Sequence, residues 1–144
     1  MTGLPAIADD SGLIVDALGG APGLISAHYA GTHGDAAGNI RKLLAELADV
    51  PEARRTARFI SVIVLLRHAR DEQPLIVEGL WEGRVLDAPR GDGGFGYDPV
   101  FFDPVLGQGA AELPADLKNR VSHRGKALAA LRARLASMAP AGAA

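Results

Sequence analysis

Apolar positions change their period several times along this chain, and each change predicts an element. Between Ala6 and Leu18, Ile7, Leu13, Ile14 and Val15 flank a polar break at Asp9-Asp10-Ser11-Gly12, which predicts two short strand pieces. Gly19, Gly20, Pro22 and Gly23 then mark a turn. From Asp35 the spacing becomes helical: Ile40, Leu43, Leu44 and Leu47 fall at i, i+3, i+4 and i+7, with Asp35 as N-cap and Pro51 beyond the end. Phe59 to Leu66 is a continuous, largely β-branched run, FISVIVLL, which predicts a central strand covered on both faces. The pattern LIVEGLWEGRVL, Leu75 to Leu86, predicts a strand pairing with it across the loop that holds Asp71 and Pro74. Pro99 to Phe102 reads as another short strand after a Gly-rich loop. Leu128, Leu131, Leu135 and Met138 predict a final helix behind a Ser122 cap.

Helices interspersed among strands define an α/β chain, with no repeat and no internal linker. Residues 1–138 read as one domain and 139–144, APAGAA, as a disordered tail. Composition agrees, since 144 residues at 48% apolar content suffice for one buried core. Charged residues make up 22% and balance to a net charge of -2, so no basic field gathers polymeric nucleic acid. A polyanionic ligand would have to be held by a local cluster. The chain has no Cys, which excludes thiolate catalysis and thiolate zinc sites and makes the cytoplasm the expected compartment. Neither a signal peptide nor a membrane span is legible at the start.

Three clusters carry candidate chemistry. Asp9 and Asp10 are adjacent carboxylates among apolar neighbours, and burying either without a partner costs several kcal/mol. On an extended segment their side chains point to opposite faces, so one can serve a site while the other is structural. Turn residues satisfied by backbone N–H groups are the plainer alternative. The second cluster is GDGGFGYDP, Gly91 to Pro99, whose four glycines allow close backbone approach and whose Phe95 offers a ring for a base to stack on. A hairpin connection with an aromatic core anchor explains the same string. The third cluster is Lys118, Asn119, Arg120, Ser122, His123 and Arg124, placed by the pattern at the start of the last helix. Cations there oppose the helix dipole, which a bound anion would justify; a merely solvated charge group is the competing explanation. His28, His33, His68 and His123 lack the HExxH spacing of a zinc site, and neither a GxSxG elbow nor a full GxxxxGK[ST] loop occurs.

In their order and spacing, ADDSGLIVDALGGAPGLISAHYAG, GGFGYDPVFF, AAEL and KNRVSHRGKAL resemble the inosine/xanthosine triphosphate pyrophosphatase family, from the first residues to about Leu131. The resemblance implies an elongated mixed β-sheet with flanking helices, two lobes around a cleft, and a homodimer. It implies hydrolysis of dITP, ITP and XTP to the monophosphate and pyrophosphate with Mg²⁺, clearing non-canonical purine nucleotides from the pool. It makes Asp10 the catalytic carboxylate, as base or metal ligand, with Ser11 contacting substrate and Asp9 structural. Phe95, Gly96, Tyr97 and Asp98 match the base-binding stretch, with Phe95 stacking on the purine. Lys118, His123 and Arg124 match the basic substrate contacts. Neither a membrane nor a nucleic-acid polymer is an expected partner.

The resemblance also implies an upstream strand, a TGNxGK-like triphosphate loop, a second acidic ligand and a helical lysine, none of which has a counterpart in this sequence. The chain therefore reads as an N-terminally truncated member, and an impaired remnant or a non-catalytic nucleotide-binding protein is the alternative to an active enzyme. His28 stands where the family commonly has Arg.

Overall fold

The computed structural model describes residues 5–23, 25–31 and 34–138, apart from the side chain of His28. His33 and the predicted tail lie outside the described residues, as does the side-chain environment of His28. Six strands form one sheet in the order β2-β1-β3-β4-β5-β6. They are β1 (Ala6–Val15), β2 (Pro22–Gly23), β3 (Thr56–Leu66), β4 (Leu75–Val85), β5 (Phe101–Asp103) and β6 (Gln108–Gly109). Helix α1 (Ala36–Glu46) precedes β3, and α2 (Ala115–Val121) and α3 (His123–Met138) close the described chain. The α/β class holds, and every strand pairing among the described residues is antiparallel. Strands β3 and β4, 11 residues each, make the sheet elongated, roughly 35 Å along the strands.

The predicted hairpin forms: Leu65 pairs with Leu75 and Phe59 with Trp81. Its connection is fastened by Asp71, which accepts hydrogen bonds from the Arg67 guanidinium and from the backbone N–H groups of Arg67 and Gln73. Arg67 and those N–H groups hold the Asp71 carboxyl well below the usual carboxylate range.

Two sequence expectations change. The polar break at Asp9 to Gly12 does not divide a strand, because β3 supplies a ladder partner to each residue from Ala6 to Val15 and the pairing carries the acidic dipeptide through. Nor is β3 covered on both faces. Phe59, Ser61 and Ile63 are buried under helices, whereas Ile60, Val62 and Val64, on the other face, are only half-buried. The continuous apolar run misled because neighbouring strands already shield much of each β-branched side chain on that face.

Register places both core clusters on one face. Leu13, Phe59 and Trp81 form a cross-strand row and pack with Leu43 of α1, with Leu47 just beyond its end and with Phe101. Farther along the same face, Ile63 and Val77 pack beneath Ala127 and Leu131 of α3. Asp35 caps α1 as expected, its Oδ1 accepting the Gly38 N–H at 3.0 Å. At the far end of α1 the buried Arg55 guanidinium donates to the carbonyls of Leu47, Val50 and Leu86, satisfying acceptors that the helix end leaves open.

The C-terminal helix differs from its predicted stripe. Leu128, Leu135 and Met138 are exposed, while His123, Ala127 and Leu131, at i, i+4 and i+8, face the sheet. Small residues win there because β4 offers Gly79, and its bare backbone lets α3 approach closely: a Cβ on Gly79 would stand 2.0 Å from the His123 carbonyl oxygen.

Candidate active site

A cleft of about 270 Å³ opens between the sheet and the segment that joins β2 to α1. Ser11, Leu13 and Phe59 line it from the sheet, Phe95 and Tyr97 from the Gly-rich loop, and His123 from α3. The segment opposite is held by polar side chains. The Leu13 N–H donates to Ser26 Oγ at 3.0 Å, and Ser26 Oγ–H donates on to the Gly23 carbonyl. Tyr97 Oη–H donates to the Ser26 carbonyl at 2.7 Å, and burial pushes that phenol up to about 12. Asn39 of α1 accepts from the Ala30 N–H at 2.8 Å and donates to the Ala27 carbonyl at 3.1 Å. Sequence reasoning missed Ser26 and Asn39. For Asn39 there was a signal, since it precedes Leu43 and Leu47 at four-residue spacing and so sits on the buried stripe of α1.

The Gly-rich loop is folded around Asp98. Its buried carboxylate accepts the Phe95 N–H at 3.0 Å and pairs with the Lys118 ammonium. Gly94, at φ +72°, lies against that carboxylate, where a Cβ would come within 2.2 Å of Oδ2. The Gly93 N–H donates to the Ala111 carbonyl and Arg90 pairs with Glu112 at 3.0 Å, so the AAEL segment braces the loop from behind. Phe95 is thereby presented 73% exposed, with the Lys118 ammonium 4.6 Å from its ring centroid on a contact of the cation–π type. Of the predicted residues, Phe95 and Gly96 offer surface to a ligand, whereas Tyr97 and Asp98 are buried and committed to protein partners.

The basic cluster is divided by a break at Ser122. Lys118 and Arg120 end α2, where cations suit the helix dipole, and only His123 and Arg124 open α3. The electrostatic oddity expected of the whole cluster therefore applies to Arg124 alone, because His123 is neutral. Its imidazole stacks on Phe59, with ring centroids 4.7 Å apart and planes 16° from parallel. Burial pushes it down to about 4 from its ordinary 6.5, with Lys118 and Arg124 acting in the same direction and Asp98 against them.

This shift sets a pH dependence. The unfolded histidine takes up a proton near 6.5 and the folded one only near 4, so the unfolded state binds more protons between these values. His123 thus lets full stability persist above about pH 6.5 and lowers it as pH falls toward 4. Urea denaturation across that range should show this loss, and the His123→Gln variant should show a shallower one.

Alternation along β1 separates the two carboxylates as expected. Asp9 shares the face of Ser11 and Leu13, and its carboxylate lies 3.8 Å from the Arg124 guanidinium, both groups more than half exposed. Asp10 is exposed on the opposite face, in a row with Val62 of β3 and Glu78 of β4. The structure therefore gathers Ser11, Phe95, Gly96, Tyr97, Asp98, Lys118, His123 and Arg124 about one cleft and sets Asp10 around the edge of β1 from it. That edge is open among the described residues, since β2 pairs only with Leu13 and Ile14. No group of three or more His, Asp or Glu side chains that could hold a metal occurs among the described residues. None of their helices is long and apolar enough to cross a membrane.

A sheet with one helix-covered face and an aromatic-lined cleft at its edge defines the class: an α/β protein with a single-layer antiparallel sheet and a cleft between that sheet and the Gly-rich loop. Residues 1–134 match the model of the Ham1 family, and the chain belongs to that family. It is 66% identical over 132 residues to a dITP/XTP pyrophosphatase of Xylella fastidiosa, covering 92% of this chain and 66% of that protein. It is 56% identical over 135 residues to a dITP/XTP pyrophosphatase of Pseudomonas aeruginosa, covering 94% of this chain and 68% of the relative. The chain thus spans about two thirds of the length of these curated relatives. The structure of a HAM1 protein from Coxiella burnetii superposes with a TM-score of 0.89 at 47% identity, over 94% of this chain and 69% of that one.

Proposed function

We propose that this protein hydrolyses non-canonical purine nucleoside triphosphates, dITP, ITP and XTP, to the nucleoside monophosphate and pyrophosphate. The observation that carries the reading is the cleft itself, lined by the exposed Phe95 ring and the neutral His123 imidazole, with the Lys118 ammonium against Phe95 and Arg124 next to His123 in sequence. Support comes also from the relatives, which are dITP/XTP pyrophosphatases. The base enters the cleft and stacks on Phe95, a contact worth roughly 1–3 kcal/mol. Donors at the cleft meet a 6-keto oxygen, whereas adenine brings an amino donor to the same place and leaves buried donors unpaired. The triphosphate tail passes over the edge of β1 that is open among the described residues, where outward-facing backbone N–H groups and Arg124 hold its oxygens, and reaches Asp10 on the far side. Water, deprotonated by Asp10, attacks the α-phosphorus; its oxygen bonds to that phosphorus, the bond to the bridging oxygen breaks, and pyrophosphate leaves. Asp9, on the cleft face beside Arg124, is the second candidate for the carboxylate because it alone of the two lies on the same face as Ser11.

The test is pyrophosphate release from dITP, XTP, GTP and ATP by this chain, with and without Mg²⁺. Release from dITP and XTP exceeding that from ATP by orders of magnitude is expected, and omission of Mg²⁺ reads the ion requirement that the resemblance implies. Asp10→Asn should abolish release and Asp9→Asn should reduce it by less; the reverse order would transfer the catalytic role to Asp9. No release from any triphosphate would refute the proposal for this chain. Light scattering tests the expected homodimer.

A further inference from the structure

Two polar side-chain atoms among the described residues are buried without a hydrogen-bond partner: Ser61 Oγ and His123 Nδ1. They lie in the same part of the molecule. Ser61 is fully buried in the middle of β3, two residues beyond Phe59 on the same face, and Phe59 carries the stacked His123 ring. Across the sheet Ser61 pairs with Ser11 on one side and Gly79 on the other, and Gly79 is the residue against which the His123 carbonyl packs. Ser61 is therefore on the sheet face that α3 covers, beside the residue that carries the imidazole and level with Ser11 and Gly79. An orphaned buried hydroxyl and an orphaned ring nitrogen each carry an uncompensated desolvation penalty. One water bridging them removes both penalties.

We propose that Ser61 is a positioning residue for His123, its hydroxyl donating to Nδ1 through one bridging water, so that the neutral imidazole carries its proton on Nε2. Nδ1 is fully buried and His123 lines the cleft, which leaves Nε2 as the ring nitrogen a base can reach. A neutral histidine is a donor at only one of its two nitrogens, and the partner of the other nitrogen decides which. With Nδ1 as acceptor, Nε2–H becomes a fixed donor facing the base. This rests on the proposed function and gives its keto discrimination a cause: a carbonyl oxygen accepts from Nε2–H, while an amino group offers it nothing. The alternative tautomer would turn an acceptor toward the cleft and favour the amino base. The tautomer, and hence the choice of base, is set from a residue that no ligand touches.

The experiment is long-range proton–nitrogen correlation on protein with ¹⁵N-labelled histidine, recorded at pH 7.5, with the His123 signals assigned by their loss in His123→Gln. Expected is an Nε2–H pattern in the unaltered chain that shifts toward Nδ1–H or a mixture in Ser61→Ala. The same variant should lose roughly tenfold in its preference for ITP over ATP, read as a ratio of kcat/KM. Its melting temperature should fall by only a few degrees, since a single buried hydrogen bond is lost, and a circular dichroism spectrum unchanged at the assay temperature shows that the loss of preference does not come from unfolding. An Nδ1–H pattern in the unaltered chain, or a tautomer that Ser61→Ala leaves untouched, would overturn the proposal. A tautomer that responds to Ser61 in a chain that hydrolyses no triphosphate would uphold the pairing and refute the proposed function instead.

Discussion

Replacing Gly79 by alanine is expected to lower the melting temperature by roughly 10 °C, the consequence of about 3 kcal/mol of overpacking in a domain of this size. The added Cβ would stand 2.0 Å from the His123 carbonyl oxygen, 2.5 Å from the Ala127 nitrogen and 3.1 Å from its Cα. All three are backbone atoms of α3, so no side-chain rotation relieves the clash. The helix must lift from β4 as a unit. Lifting it weakens the packing of Ala127 and Leu131 on Ile63 and Val77 and pulls the imidazole from Phe59. Thermal unfolding checks the first consequence, and the same loss of base discrimination predicted for Ser61→Ala checks the second. Glu78→Ala is the control: its side chain is exposed on the opposite face, and its effect should stay within about 0.5 kcal/mol.

The second large effect is expected from Asp98→Ala. Removing one member of a buried ion pair typically costs about 3–5 kcal/mol, because the other charge is left without a partner. Lys118 retains some contact with solvent, its side chain 16% exposed, so a loss of about 2–4 kcal/mol in urea denaturation is the expected figure. The same substitution takes the acceptor from the Phe95 N–H and frees the glycine loop, so KM for dITP should rise more than kcat falls. Asp98→Asn should lie between, since its amide oxygen can still accept from Phe95 but no longer balances Lys118. If Asp98→Ala left both stability and KM unchanged, Asp98 would not be the anchor of the loop.

Much of this was legible before any coordinates, and the reasons are local. The β3–β4 hairpin follows from two strand-like patterns on either side of Asp71 and Pro74, and α1 follows from a 3.6-residue period with Asp35 at its start. The separation of Asp9 from Asp10 needed only the two-residue alternation of a strand. The residues gathered about the cleft were named from motif strings because those strings are long and occur in a fixed order. Less legible was α3, where a leucine stripe pointed outward and His123, Ala127 and Leu131 pointed in. Leucine spacing describes a helix but cannot say how near its partner comes, and the glycine that decides this is more than forty residues away. The break at Ser122 escaped for a related reason: two short helices and one long one present the same charges in sequence.

The sequence by itself determined the class of fold, the principal strands and helices, and several of the side chains about the cleft, because each depends on periodicity or on contiguous motifs. Only the tertiary structure decided which carboxylate faces that cleft, that Asp98 is an anchor for the Gly-rich loop, and that Ser61 is buried on the face that α3 covers. These follow from strand register and from the closeness of α3 to β4. Both are set by contacts between residues far apart in the chain, which no local pattern records.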